Sequence, residues 1–167
     1  MPCTHVVTAD RQRARFFRLE KTPVGLEWTL RSLEEIEDLI HPEGGMTDQE
    51  LFSSGKPGVV FSPARWGTHR QSFDDHRERH RLEAERRFAR RVVTRLSGWV
   101  HEDGADRILL CAGDRTRGLL RRALKTARLP AEVEEVDADL AGLTPPAVLD
   151  RLVAAGALPP AGPRPQL

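Results

Sequence analysis

The sequence predicts an α/β domain built on one mixed five-stranded sheet in the order 3-2-1-4-5, with flanking helices. Three observations lead there. The chain opens with three β-forming runs joined by brief links. Two later β-runs alternate with helical patterns. Between the two halves the apolar period changes from 2 to about 3.6, and a long loop precedes the first long helix.

"THVVTAD" is a short apolar run and reads as a buried strand. "RARFFRLE" alternates after a brief polar turn and reads as a second. "LEWTLRSLEEI" is a third, with Leu26, Trp28 and Leu30 on one face. Such short links favour an antiparallel meander. Residues 37–71 then carry turn-formers throughout, with "GGM" at 44–46 as a flexible turn. Irregular loops of this length are usually functional or disordered, so activity is sought here first.

The long helix is expected to start at Ser72, with Asp75 completing a capping box. Phe88, Ala89, Val92, Val93, Leu96, Trp99 and Val100 recur at helical spacing and should pack on the sheet. The first half, "DDHRERHRLEAERR", has almost no apolar stripe and should protrude or face a partner. "DRILLCAG" is a fourth, buried strand, and "DRTRGLLRRALKTA" a helix with Leu119, Leu120, Ala123 and Leu124 inward. "AEVEEVDAD" is the fifth strand. "TPPAVLDRLVAAG" is a closing helix, begun by Thr144 and Pro145 and stopped by Gly156. Residues 1–156 form one domain, and the Pro-rich 157–167 a flexible tail. The order β-β-β-α-β-α-β-α puts strand 1 in the centre, a ribonuclease-H-like arrangement.

Composition narrows the classes. Of 167 residues, 39% are apolar and 31% charged, with a net charge of +1, so the chain is no polycation that coats nucleic acid by charge alone. The charge is uneven: "RSLEEIEDLIHPEGGMTDQE" is acidic, while "RQRARFFR" and "ERRFARRVVTR" are basic. No apolar run approaches the roughly 20 residues of a membrane span. The N-terminus lacks the pattern of a signal peptide, so a cytoplasmic protein is expected. Cys3 and Cys111 read as free thiols, Cys111 inside the core, and no cofactor is implied.

"VVTADRQRARFFRL", "IHPEGGMTDQELFSSGKPG", "EAERRFARRVVTRL", "RILLCAGDRTRGLLRRAL" and "EVDADLAGLTPPAVLDRL" together resemble the bacterial host attachment protein family over most of residues 4–152. That family is in turn similar to the middle domain of archaeal and eukaryotic peptide-chain release factors. There, a loop leading into a long basic helix carries Gly-Gly-Gln-Ser into the peptidyl-transferase centre. By position, Gln71 and Ser72 match the last two residues of that motif, but His69 and Arg70 stand in place of the glycines. Residues with a Cβ reach the glycine conformations only at a cost, and oxyanion stabilisation depends on close donor placement. The resemblance thus implies a ribosome or tRNA binding factor of rescue, stress or hibernation type, without peptidyl-tRNA hydrolysis.

The candidate residues follow. Gln71, Asp10 and Asp114 are the catalytic candidates: Asp10 and Asp114, with Asp137 and Asp139, end strands where carboxylates can hold metals for phosphodiester cleavage. Asp114 reads equally well as a helix cap, and Asp10 as a turn former. His76 and His80 share a helical face and are candidate metal ligands, with His41 and His69 within reach only through the loop. Arg70, Arg77, Arg81, His80, Arg13, Arg15 and Arg117 are the candidates for contacting ribosomal RNA or tRNA, because guanidinium forks suit phosphate. Phe52, Phe61 and Trp66 suggest that the loop packs on something, such as a second copy in a homodimer. The competing functions are a metal-dependent nuclease or ester hydrolase, and an interaction protein in attachment to host cells.

Overall fold

The computed structural model describes residues 3–24, 28–47, 50 and 69–160, with backbone alone for 22–24, 28–30 and 69–73. Leu26, Phe52, Phe61, Trp66 and the loop-mediated dimer lie outside the described residues, as do 161–167.

Strands β1 (Thr4–Ala9), β2 (Arg13–Val24), β3 (Trp28–Ile40), β4 (Arg107–Ala112) and β5 (Glu132–Asp137) form one sheet in the order β3-β2-β1-β4-β5. β1 pairs antiparallel with β2 and parallel with β4; β4 pairs parallel with β5. This is the predicted mixed sheet, and the ribonuclease-H-like label is consistent with it. β1 is central and buried along its whole length, as its near-continuous apolar run requires.

Helices α1 (His69–Asp103), α2 (Asp114–Ala127) and α3 (Pro145–Ala154) cover the two faces. Val7, Ala9, Phe16, Ile108 and Leu110 pack under Phe88, Val92, Leu96 and Leu120 of α1 and α2. Val6, Phe17, Leu19, Leu109 and Cys111 pack under Val148 and Leu152 of α3. Alternation along β1 and β4 sends successive residues to opposite layers. Cys111 is buried in the core, as expected.

Three boundaries differ from the sequence reading. β3 runs to Ile40, so the loop starts at His41 rather than at residue 37. Its extension is held by charge: Arg13 pairs with Asp38 and Arg95 with Glu37, just as Arg15 pairs with Glu35 and Arg18 with Glu34 earlier in the strand. The basic and acidic segments of the sequence are therefore neighbouring strands that neutralise each other. Second, α1 starts at His69, so Ser72 lies inside the helix and is not its cap. Third, Ala157 and Leu158 are buried against α3, so the first residues of the expected tail are docked.

A bulge in β3 explains its two-faced packing. Phe16 faces Glu37 while Phe17 faces Glu35, leaving Ile36 as the extra residue. Without it, Leu33 and Leu39 would share a face. With it, Leu33 packs on the α3 side and Leu39 on the α1 side.

Candidate functional site

The apolar stripe of α1 begins only at Ala84; from Asp74 to His80 every residue is exposed. With 35 residues, α1 is roughly 50 Å long, so its N-terminal part reaches beyond the sheet. α2 packs beside it. Between them opens a cleft of about 910 Å³. It lies outside the carboxyl ends of β1 and β4, where Arg11 and Asp114 follow the strands. The chain leaves β1 towards β2 and leaves β4 towards β5, on opposite sides. Crevices at such divergence points are the usual ligand sites of open α/β sheets.

Glu85 fixes the wall. Its carboxylate, 10% exposed, accepts from both Nε and a terminal nitrogen of Arg115 at 3.1 and 2.9 Å. It also lies 3.4 Å from Arg11, so α1, the β1–β2 turn and α2 meet on one carboxylate. His41 reinforces the corner. Its ring stacks on Phe88 at 4.6 Å, and Nδ1 is 2.8 Å from the Arg11 carbonyl oxygen. An added Cβ on Gly44 would sit 2.0 Å from that same oxygen. The "GGM" turn is therefore closely packed at its first glycine. Glu43, in the same turn, lies 3.8 Å from His80 and 3.9 Å from Arg87.

The cleft is rich in guanidinium groups. Arg79 and Arg86, seven apart on α1, share its face with Arg122 and Lys125 of α2. Asp75, Glu78 and Asp114 also line the cleft, but Arg79, Arg86, Arg122 and Lys125 make no ion pair with a carboxylate among the described residues. Arg79 and Arg122 belong to the arginine clusters that the sequence shows at the starts of these two helices; Arg86 and Lys125 are not singled out by it, and the signal available was their helical spacing. A second groove of about 370 Å³ continues from it, with an apolar floor at Val93, Leu119 and Ala123 and Arg86, Arg90 and Arg122 at its rim.

Several candidates prove to be structural. Arg15 is 7% exposed; it binds Glu35 through two nitrogens, donates to the carbonyls of Ala141 and Leu143, and lies over the Phe17 ring. It cannot reach a phosphate. Its hydrogen bonds also hold the Glu35 carboxyl below the usual carboxylate range, against the opposing effect of burial. Arg13 is paired with Asp38 through Nε at 3.2 Å and a second, shorter contact. Arg117 is held by Asp114 at 3.0 Å and Asp137 at 2.7 Å, with its side chain 12% exposed. These two are committed within the fold as well.

The acids do not converge. Asp10 accepts the amides of Gln12 and Arg13 at 2.7 and 2.8 Å, closing the first turn. Gly113 is the N-cap of α2, and Asp114 stands in its first turn, where it suits the dipole. Arg117 occupies the space between Asp114 and Asp137 that a metal would need. Asp139 accepts the Ala141 amide. Gln71 and Arg70 lie in helical backbone at the start of α1, not on a loop, and their side chains are outside the described residues. His76 and His80 are exposed on α1, and no third ligand joins them among the described residues. Arg77 and Arg81 project from the same N-terminal half of α1, and Arg81 lines the cleft.

A family described as "Protein required for attachment to host cells" matches residues 5–152. The chain belongs to it. Its match takes in every strand from His5 onward and nearly all of α3, so the host-attachment family's domain coincides with the fold described above. No curated protein matches the chain. No described helix is long and apolar enough to cross a membrane.

Proposed function

We propose that the protein binds structured RNA, of the ribosome or of tRNA, through the cleft between α1 and α2, as a translation-associated factor without peptidyl-tRNA hydrolysis. One observation carries this reading: Arg79, Arg86, Arg122 and Lys125 line a single cleft from two helices and none of the four is ion-paired among the described residues, although Asp75, Glu78 and Asp114 share the lining. Guanidinium and ammonium groups that are not already ion-paired can take phosphate oxygens without giving up a partner. Structured RNA is bound largely through shape and backbone contacts, which a long cleft beside a protruding helix suits. The resemblance to release-factor middle domains supports the same class. Helical backbone at 69–71 supports a role without hydrolysis, since His69 and Arg70 replace the glycine pair and its conformational freedom.

Co-sedimentation with ribosomes at graded salt tests it. Binding that falls steeply with salt and vanishes when the four cleft residues become Ala supports the proposal. Absence of binding at low salt overturns it. The family's description favours a second reading, a protein acting in attachment to host cells. A deletion strain that loses attachment while its ribosome profile is unchanged would favour that reading.

A further inference from the structure

We propose that Cys3, His5 and Asp103 form a binding site for a zinc-class divalent cation at the end of the sheet opposite the cleft. Cys3 immediately precedes β1 and His5 is the strand's second residue, and Cys3 packs against the same layer as Val7 and Ala9, the face to which His5 also belongs by alternation. α1 runs along that face and ends at Asp103. The sulfur, a ring nitrogen and a carboxylate oxygen all lie within 4.8 Å of one another. Zinc takes sulfur at about 2.3 Å and nitrogen or oxygen at about 2.0 Å, so its tetrahedral ligands stand roughly 3–4 Å apart. Small side-chain movements close the set.

The surroundings favour a cation. Asp103 ends a helix, where the carbonyl dipole makes a carboxylate unfavourable unless a positive charge compensates it. The carbonyl of Cys3 accepts the amides of Asp106 and Arg107 at 3.1 and 3.4 Å, which anchors the ligand's backbone. His5 Nε2 lies 2.8 Å from Asp103 Oδ2. A thiolate and an imidazole together select zinc-class ions over magnesium or calcium.

Arg18 is the rival occupant. Its Nε lies 3.0 Å and a terminal nitrogen 2.7 Å from Asp103 Oδ2, and the same terminal nitrogen is 2.8 Å from Oδ1. Arg18 also reaches Glu34, so it can remain as the group that orients the carboxylate while the ion enters between His5 and Asp103. The charge balance is simple. The Cys3 S–H bond breaks, a sulfur–metal bond forms and one proton goes to solvent. The His5 ring proton moves to the nitrogen that faces away from the ion. No electron is transferred.

The test uses the full chain, stripped with chelator and titrated with Co²⁺, then with Zn²⁺ as competitor. The expected result is a thiolate-to-cobalt charge-transfer band with tetrahedral visible bands, abolished by Zn²⁺ and absent from Cys3→Ser. His5→Gln and Asp103→Asn should each weaken Co²⁺ by more than about tenfold. Cys111→Ala should keep the band, because burial pushes that thiol up to about 12 and away from solvent. A parent protein with no such band overturns the site. So does a band that survives Cys3→Ser, or one indifferent to both His5→Gln and Asp103→Asn. Far-ultraviolet dichroism confirms that each variant is folded.

Discussion

The arginines of β2 and those of the cleft are the same residue type in opposite situations. Arg13, Arg15 and Arg18 face Asp38, Glu35 and Glu34 across a strand pair. Arg79, Arg86, Arg122 and Lys125 face one another across a cleft. The first group is ion-paired by register; the second makes no ion pair among the described residues, with Asp75, Glu78 and Asp114 elsewhere in the same lining. A basic segment in a sequence therefore says little until the strand opposite it is known. Here the acidic partner follows immediately in the chain as β3, and it turns most of the β2 charge into cross-strand cohesion.

The largest effect is expected at the most buried member of the neutralised group. Arg15→Ala leaves Glu35 unpaired and the carbonyls of Ala141 and Leu143 without their donor. Because the Glu35 side chain is 30% exposed, water replaces part of the lost pair, and the cost is about 2–3 kcal/mol, readable as a lower urea midpoint. The pH dependence has a defined sign. Arg15 holds Glu35 below its ordinary 4.5, so the stabilisation is fully present above that value. It is lost as pH falls through the depressed folded value. Thermal midpoints of the parent should drop over that acid range, and Arg15→Ala should drop less steeply. RNA binding by folded Arg15→Ala should match the parent.

The reverse pattern is expected in the cleft. Replacing Arg79, Arg86, Arg122 and Lys125 together by Ala should leave stability within about 0.5 kcal/mol per site, since they are exposed and have no carboxylate partner among the described residues. RNA affinity should fall, and the slope of log affinity against log salt should shrink by roughly one for each phosphate contact removed. A variant that unfolds instead would move these residues into the structural group.

A smaller effect tests the corner where the two regions meet. The Arg11 carbonyl receives His41 and is closely approached by Gly44. Gly44→Ala forces the turn away from it, at a cost of about 1–3 kcal/mol in chemical unfolding. It also withdraws Glu43 from His80 and Arg87, so RNA affinity should change little or rise.

These contrasts show what the sequence could and could not reveal. The strand order was legible because β1 and β4 are continuous apolar runs and α1 carries a clear stripe from Phe88 to Val100. The end of β3 was not, because Glu37 and Asp38 read as loop residues. Only their guanidinium partners make them strand residues: Arg95 Nε, for instance, is 2.9 Å from Glu37 Oε1. The helix start is hidden for a related reason. Ser72 with Asp75 makes a plausible cap locally, yet the helical backbone begins at His69. The cleft residues are hidden because Arg79 and Arg122 meet only through the packing of α1 on α2, which no spacing within one helix encodes.

The smallest and most discriminating prediction concerns the other arginines of α1. Arg70, Arg77 and Arg81 are the RNA-binding candidates that the start of the helix suggests. Arg77 is exposed on the protruding half and does not line the cleft, whereas Arg81 does. Both already have interactions within the fold, so binding RNA through them means giving those up. The gain from counterions released there is partly offset by that cost. A triple Arg→Ala variant at 70, 77 and 81 should therefore lose less affinity than the cleft variant, and its salt slope should change by less than half as much. Parallel titrations of labelled ribosomal RNA at several salt concentrations measure both. If the triple variant loses more, the RNA runs along the protruding half of α1, and the cleft is only where that helix is braced.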